Sequence, residues 1–141
     1  MLLQQGISRD QLAVLGFKER EQLAELFCEV DLAIMPSRTE GFGLPGLEAL
    51  SAGLPVLVSG NSGLGEALKN VLHGSYRVVN SEDPKEWAKA IKAVCEKNRD
   101  VRLGETKDLC GKYARKYSWE EQCGRLVERM MDITQSKYIS G

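Results

Sequence analysis

The chain has 141 residues, the size of one ordinary domain, and 43% hydrophobic with 28% charged residues is the balance of a globular protein with one packed core. The formal net charge is −1 and the basic residues are scattered, which argues against a phosphate-backbone or anionic-membrane footprint and so against a nucleic-acid partner. Apolar runs such as Leu54 to Val58 fall far short of the ~20 residues of a membrane span, and no basic-then-apolar leader follows Met1, so the expected setting is cytoplasmic.

Leu12 to Phe17 is a short apolar run that reads as a strand, and Leu23, Leu26, Phe27 and Val30 then recur at helical spacing. Asp31-Leu-Ala-Ile-Met-Pro36 is too short for a helix and is closed by proline. It reads as a second strand feeding the glycine-rich loop from Ser37 to Gly43. A helix opens at Pro45 and ends at Gly53, and Pro55 to Ser59 is a third strand, apolar on both faces. A short helix from Gly63 through Leu68 and a small fourth strand at Tyr76 to Val79 follow.

Asp83-Pro-Lys-Glu86 predicts an N-cap, a proline in the first turn and a Glu placed to close a capping box. Trp87, Ala90, Ile91 and Val94 form the buried stripe of the helix behind it. The C-terminal part reads as helical, with Ser118-Trp-Glu-Glu121 as a second capping box opening a helix towards Met131 and a frayed tail at 136–141. Uninterrupted apolar strands separated by helices belong to a parallel sheet covered on its faces, so the fold class is α/β.

Titratable groups limit the chemistry. His73 is the only histidine, which leaves a His-based metal site or a Ser-His-Asp triad without its members. Cys28, Cys95, Cys110 and Cys123 show no C-x-x-C spacing, and the expected reading is buried free thiols in a reducing compartment. Chemistry therefore falls to carboxylates, backbone amides and cations.

The informative stretch runs from Pro36 to Val58, with Ser59-Gly-Asn-Ser-Gly63 behind it. A strand end, a loop holding Gly41 and Gly43, and a helix N-terminus meet there. Glycines let the amides of Phe42, Gly43 and Leu44 approach an anion, and the helix dipole adds partial positive charge, so a diphosphate fits. Glu40 and Glu48 frame this cradle. Carboxylates repel phosphate but accept pairs of hydroxyl hydrogen bonds well. Spacing alone leaves Glu48 as either a helix-dipole residue or a hydroxyl acceptor, and Glu40 as either a solvated loop residue or the same. Arg38 is a surface arginine or a phosphate partner, and Asn61 to Gly63 a plain turn or part of the lining.

The Glu, seven residues, Glu spacing with Phe-Gly inside resembles the signature of family 4 glycosyltransferases of the GT-B fold. Leu12 to Phe17, Asp31 to Ser37, Ala52-Gly53-x-Pro55-Val56, Gly63 to Glu66 and Ser118-Trp119 match the family's pattern around it. The resemblance covers roughly residues 6 to 131. It implies that residues 1–135 are a partial nucleotide-sugar-binding domain, a Rossmann-like parallel sheet of about four strands from a truncated half of a GT-B fold. It also implies a donor substrate that is a nucleotide-diphosphate sugar, with no cofactor. Carried over, Glu40 is the catalytic-site carboxylate on the donor sugar's hydroxyls, the amides of Phe42, Gly43 and Leu44 hold sugar and diphosphate, and Glu48 grips the ribose diol. Gly16 and Phe17 lie where the nucleobase edge falls, and Arg38 stands beside the phosphates.

Relatives order their strands 3-2-1-4-5-6, and the resemblance finds no counterpart here of their first two strand-helix units or of the acceptor-binding half. Leu12–Phe17 is then expected to move beside the second strand, or another chain to fill the slot. The implied function is the donor-binding part of a retaining glycosyltransferase, incomplete and inactive alone, with an acceptor domain or another chain as partner. The alternative is a non-catalytic nucleotide-sugar-binding or interaction module of a larger multidomain protein.

Overall fold

Three short parallel strands lie side by side in sequence order in the computed structural model, which describes residues 8–16, 18–36, 44–118 and 126–135. They are β1 (Ala33–Met35), β2 (Val56–Ser59) and β3 (Val78–Val79). Ala33 stands opposite Val56 and Met35 opposite Val58, and on the other side Val58 and Ser59 stand opposite Val78 and Val79. The run that reads as apolar on both faces is the central strand β2, buried at every position.

Side chains alternate across a strand, so one sheet supplies two cores. Val56, Val58 and Val78 face Leu50 of α2 (Leu44–Ser51), Leu64 and Leu68 of α3 (Gly63–Lys69) and Leu109 of α5 (Arg99–Lys116). Phe27 of α1 (Arg20–Glu29) packs at the margin of this cluster. Leu57 and Val79 face the other way, onto Val94, Ala90, Ile91 and Trp87 of α4 (Pro84–Cys95). The connecting helices α2 and α3 share one face because right-handed crossovers between neighbouring parallel strands place them there. Leu50, Leu57, Leu64 and Leu68 are essentially inaccessible, each contributing about 1.5–3 kcal/mol by burial. Residues 126–135 form a further helix, α6. Among the described residues no helix is long and apolar enough to cross a membrane.

Four expectations change. Leu12 to Gly16 form no strand: Val14 is 89% exposed, and the sheet of the described residues has three strands, with Leu12–Gly16 outside it. A strand is stabilised by its ladder and by burial, and this segment has neither among the described residues, so it does not move beside β1 as expected. The fourth predicted strand, Tyr76 to Val79, is instead a 3₁₀ turn at Gly74–Arg77 followed by the two residues of β3. A Cβ on Gly74 would lie 2.0 Å from the Leu68 carbonyl oxygen, and His73 turns the chain with φ 67, so the backbone is too tightly folded there to extend.

Cys28 and Cys95 are exposed rather than buried, and Cys110 is half-buried. Cys95 follows Val94, and one residue is about 100° of helix, which carries the thiol away from the sheet that Val94 meets. Finally, Asp83 caps α4 by accepting from the Lys85 N–H, but its own N–H donates to Ser81 Oγ, and Glu86 pairs with Lys89 instead of closing a capping box. The box expected at Ser118 to Glu121 runs into residues outside the described ones, as does the tail 136–141.

Candidate functional site

Open α/β sheets bind ligands beyond the C-terminal ends of their strands. Here that edge is formed by Pro36 after β1, the turn Gly60–Ser62 after β2, and Asn80 and Ser81 after β3. The β2 turn is held by several hydrogen bonds. Ser62 caps α3, accepting from the Gly65 N–H at 2.9 Å and donating to the Ser59 carbonyl at 2.8 Å, while the Asn61 N–H donates to Ser59 Oγ at 3.3 Å. Ser62 is thereby a structural residue, and Asn61 is left exposed beside it.

Two glycines bring the helices onto this edge. A Cβ on Gly65 would stand 2.1 Å from the Ser59 carbonyl oxygen, and one on Gly46 would stand 2.8 Å from Leu64 Cδ2. Only a residue without a side chain lets α3 begin so close to the end of β2, whereas at Gly46 the contact is with the movable end of the Leu64 side chain. Both helices therefore start from the same edge, with their partial positive ends together.

Lys69 is the residue that sequence reasoning missed. Its ammonium donates to the Gly60 carbonyl at 3.1 Å and pairs with Glu66 at 3.2 Å, which holds a cation against the β2 turn. A Cβ on Gly60 would lie 3.2 Å from that ammonium and 2.1 Å from Asn80 Oδ1, so Gly60, Lys69 and Asn80 meet there. The sequence signal was only an i,i+3 Glu-Lys spacing on α3, which reads as an ordinary surface pair.

Of the predicted site residues, Leu44 and Glu48 are brought together. Both line a groove of about 350 Å³ between α1 and α2, with Phe27, Leu47 and Ser51. Leu44, at the first turn of α2, is 62% exposed. Glu48 stands one turn further on, exposed, and among the described residues its carboxylate has no hydrogen-bond or ion-pair partner. Gly16 lies in the exposed segment before α1, with open space around its Cα, and does not line this groove. Phe17, Arg38, Glu40, Phe42 and Gly43 lie outside the described residues.

A sequence profile of the family described as family 4 glycosyltransferase in conflict systems matches residues 4–126, most of the chain. The chain belongs to this family. The span from Glu40 to Glu48 lies inside the matched region of this family 4 member, as do all three strands. Among its relatives, a D-inositol 3-phosphate glycosyltransferase of Corynebacterium urealyticum is 34% identical over 126 residues, 87% of this chain and 28% of that protein. One of the same description from Geodermatophilus obscurus is 35% identical over 76% of this chain and 22% of its own length. An uncharacterized glycosyltransferase of Methanocaldococcus jannaschii is 35% identical over 56% of this chain and 20% of its own length. The family 4 chain thus spans about a quarter of the length of the curated relatives it matches.

Proposed function

We propose that this chain supplies the donor-binding wall of a retaining glycosyltransferase that takes a nucleotide-diphosphate sugar. The diphosphate sits at the N-terminus of α2 on the amides of Phe42, Gly43 and Leu44, where backbone donors and the helix dipole converge. Glu40 accepts from the sugar hydroxyls, Glu48 from the ribose diol, Arg38 reaches the phosphates, and the nucleobase edge lies against Gly16 and Phe17. The acceptor is held by a further domain or another chain across a cleft. Two exposed unpaired thiols, Cys28 and Cys95, fit a reducing cytoplasmic setting.

The observation that carries this reading is the state of Glu48. It is an exposed carboxylate without a protein partner, four residues past Leu44 on a helix whose first turn faces the strand ends. A residue that serves only the helix dipole contributes about 0.3–1 kcal/mol of stability and nothing to ligand affinity. Calorimetric titration of the chain with UDP, GDP and ADP, repeated on Glu48→Ala, separates the two roles. The expected result is a loss of about 1–3 kcal/mol of affinity for the preferred nucleotide, the range for a hydrogen bond to a charged group, with the fold unchanged. An unaltered dissociation constant removes Glu48 from the site.

The second reading is a nucleotide-sugar-binding or interaction module of a larger multidomain protein, without transfer activity. A longer polypeptide containing this chain that binds the donor but neither transfers nor hydrolyses it supports the module.

A further inference from the structure

A second cavity, of about 440 Å³, opens between the C-terminal half of α4, the middle of α5 and the 3₁₀ turn at Gly74–Arg77. Arg77 immediately precedes β3, so this cavity lies toward the N-terminal end of that strand, whereas the candidate donor site lies beyond the C-terminal ends. Its volume is within the range of small-molecule sites. One wall is apolar, made by Ala90, Ala93, Val94 and Leu109, and Tyr76, 77% exposed, stands at the rim with the His73 ring 6.1 Å away.

The other wall carries a charge that the protein does not fully use. The Arg77 side chain is only 6% exposed, and its Nη2 donates to Glu105 at 3.2 Å. Lys97 takes the same carboxylate at 2.9 and 3.0 Å, so two cations share one anion. Asp108, the other acid at the cavity, is occupied by Lys112 at 2.6 Å, which also meets His73 Nδ1 at 3.2 Å. The remaining Arg77 nitrogens have no protein partner among the described residues. Among the described residues no side-chain nitrogen is both buried and unbonded, so those nitrogens keep some access to solvent, and Arg77 is one of the residues that line the cavity. Burial lowers the Arg77 pKa from its ordinary value, with Glu105 opposing.

We propose that this cavity is a second binding site, for a small carboxylate carried on an aromatic body, distinct from the donor site. One uncompensated positive charge suits a monoanion. A guanidinium presents parallel N–H donors that match a planar carboxylate, and the alanine and leucine wall with the Tyr76 rim accepts the ring.

The test is an NMR titration of the nitrogen-15-labelled 141-residue chain with benzoate, phenylacetate and indole-3-acetate, each beside its neutral amide. The acids move the backbone amides of Arg77, Ala90, Ala93 and Leu109 together, leave those of Leu44 to Ser51 in place, and bind at least about tenfold more tightly than the amides. Ala93→Phe, at an exposed position of α4 where the added ring fills the cavity, abolishes binding of acids and amides alike. Arg77→Gln removes the preference for acids. Should burial of that site prevent the variant from folding, Lys97→Gln at the exposed rim reads the same charge and weakens acid binding about threefold. Equal affinity for acids and amides, no movement at about 10 mM of any acid, or undiminished binding to folded Ala93→Phe overturns the proposal.

Discussion

Replacing Gly65 by alanine tests the packing that sets the strand-end edge. The added Cβ would stand 2.1 Å from the Ser59 carbonyl oxygen and 3.0 Å from Ser62 Oγ, far inside contact distance, and both neighbours are held. The Ser59 carbonyl accepts from Ser62 Oγ and from the Ser62 N–H, and Ser59 belongs to the buried strand β2, so the strand cannot retreat. The helix must move instead. Over-packing of this kind costs about 1–3 kcal/mol, and displacing α3 also loosens the Ser62 cap, worth typically ~1 kcal/mol. Alanine's better helix propensity returns about 0.5–1 kcal/mol, leaving a net loss of roughly 1–3 kcal/mol. Urea unfolding followed by circular dichroism measures it, with Gly111→Ala as the internal contrast. Gly111 lies in α5 with nothing within 4 Å of its Cβ site, so there the propensity acts alone and the expected sign is reversed, a gain of about 0.5–1 kcal/mol. A Gly65→Ala chain as stable as the parent would refute the claim that glycine is needed for α3 to meet β2.

Other outcomes follow from single residues. Lys112 donates to Asp108 and, first through this hydrogen bond and then through charge, holds the Asp108 carboxyl below its ordinary pKa. A depressed folded-state value means the contribution is present above the unfolded pKa of about 3.9 and is lost as pH falls through the folded value. The difference in thermal midpoint between the parent and Lys112→Gln should therefore shrink as pH is lowered below about 4. For activity, the 141-residue chain incubated with radiolabelled nucleotide sugars and simple acceptors is expected to transfer nothing measurable. Alignment of two reactants supplies roughly 7–11 kcal/mol of barrier lowering, and the proposed donor wall holds only one of them. Transfer that vanishes in Glu40→Ala would contradict the incomplete-enzyme reading.

What was legible in the sequence was local. The run Pro55 to Ser59 reads as a buried strand, because it is short, rich in β-branched valine, apolar on both faces and bounded by Gly53 and Gly60. Asp83-Pro84 declares a helix start, because the cap and the proline act within one turn. The stripe of Trp87, Ala90, Ile91 and Val94 declares the face that meets Leu57 and Val79. What stayed hidden depends on distant partners. Leu12 to Gly16 is as apolar as a strand, but a strand needs an edge to pair with. The 3₁₀ turn at Gly74 is set by the carbonyl of Leu68 on the preceding helix. Lys69 at the Gly60 carbonyl and Arg77 at Glu105 join residues 9 and 28 positions apart, and no periodicity announces either contact. For the candidate site, the Glu-to-Glu spacing was visible in the sequence, whereas the company Glu48 keeps with Phe27 of α1 was not.

That company bears on the shape of the ligand. Four residues of helix separate Leu44 from Glu48, a rise of about 6 Å along the axis, and both lie on the side of α2 that faces α1. On the proposed reading, one extended molecule meets opposite needs at its two ends: a group held at the first turn of α2 by backbone donors, and a group held by the Glu48 carboxylate. The helix start favours negative charge, and the carboxylate rejects it and asks for hydroxyls. A free phosphate satisfies only the first and a free sugar only the second, whereas a nucleoside diphosphate joins a charged segment to a ribose diol within one molecule. Lys69, on the Gly60 carbonyl at the β2 turn, is neutralised by its pair with Glu66, and among the described residues lining the groove no cation stands beside Glu48. The order of preference expected in titrations is then nucleoside diphosphate over nucleoside monophosphate over inorganic phosphate, and the loss caused by Glu48→Ala should appear with the nucleotides and be absent with inorganic phosphate.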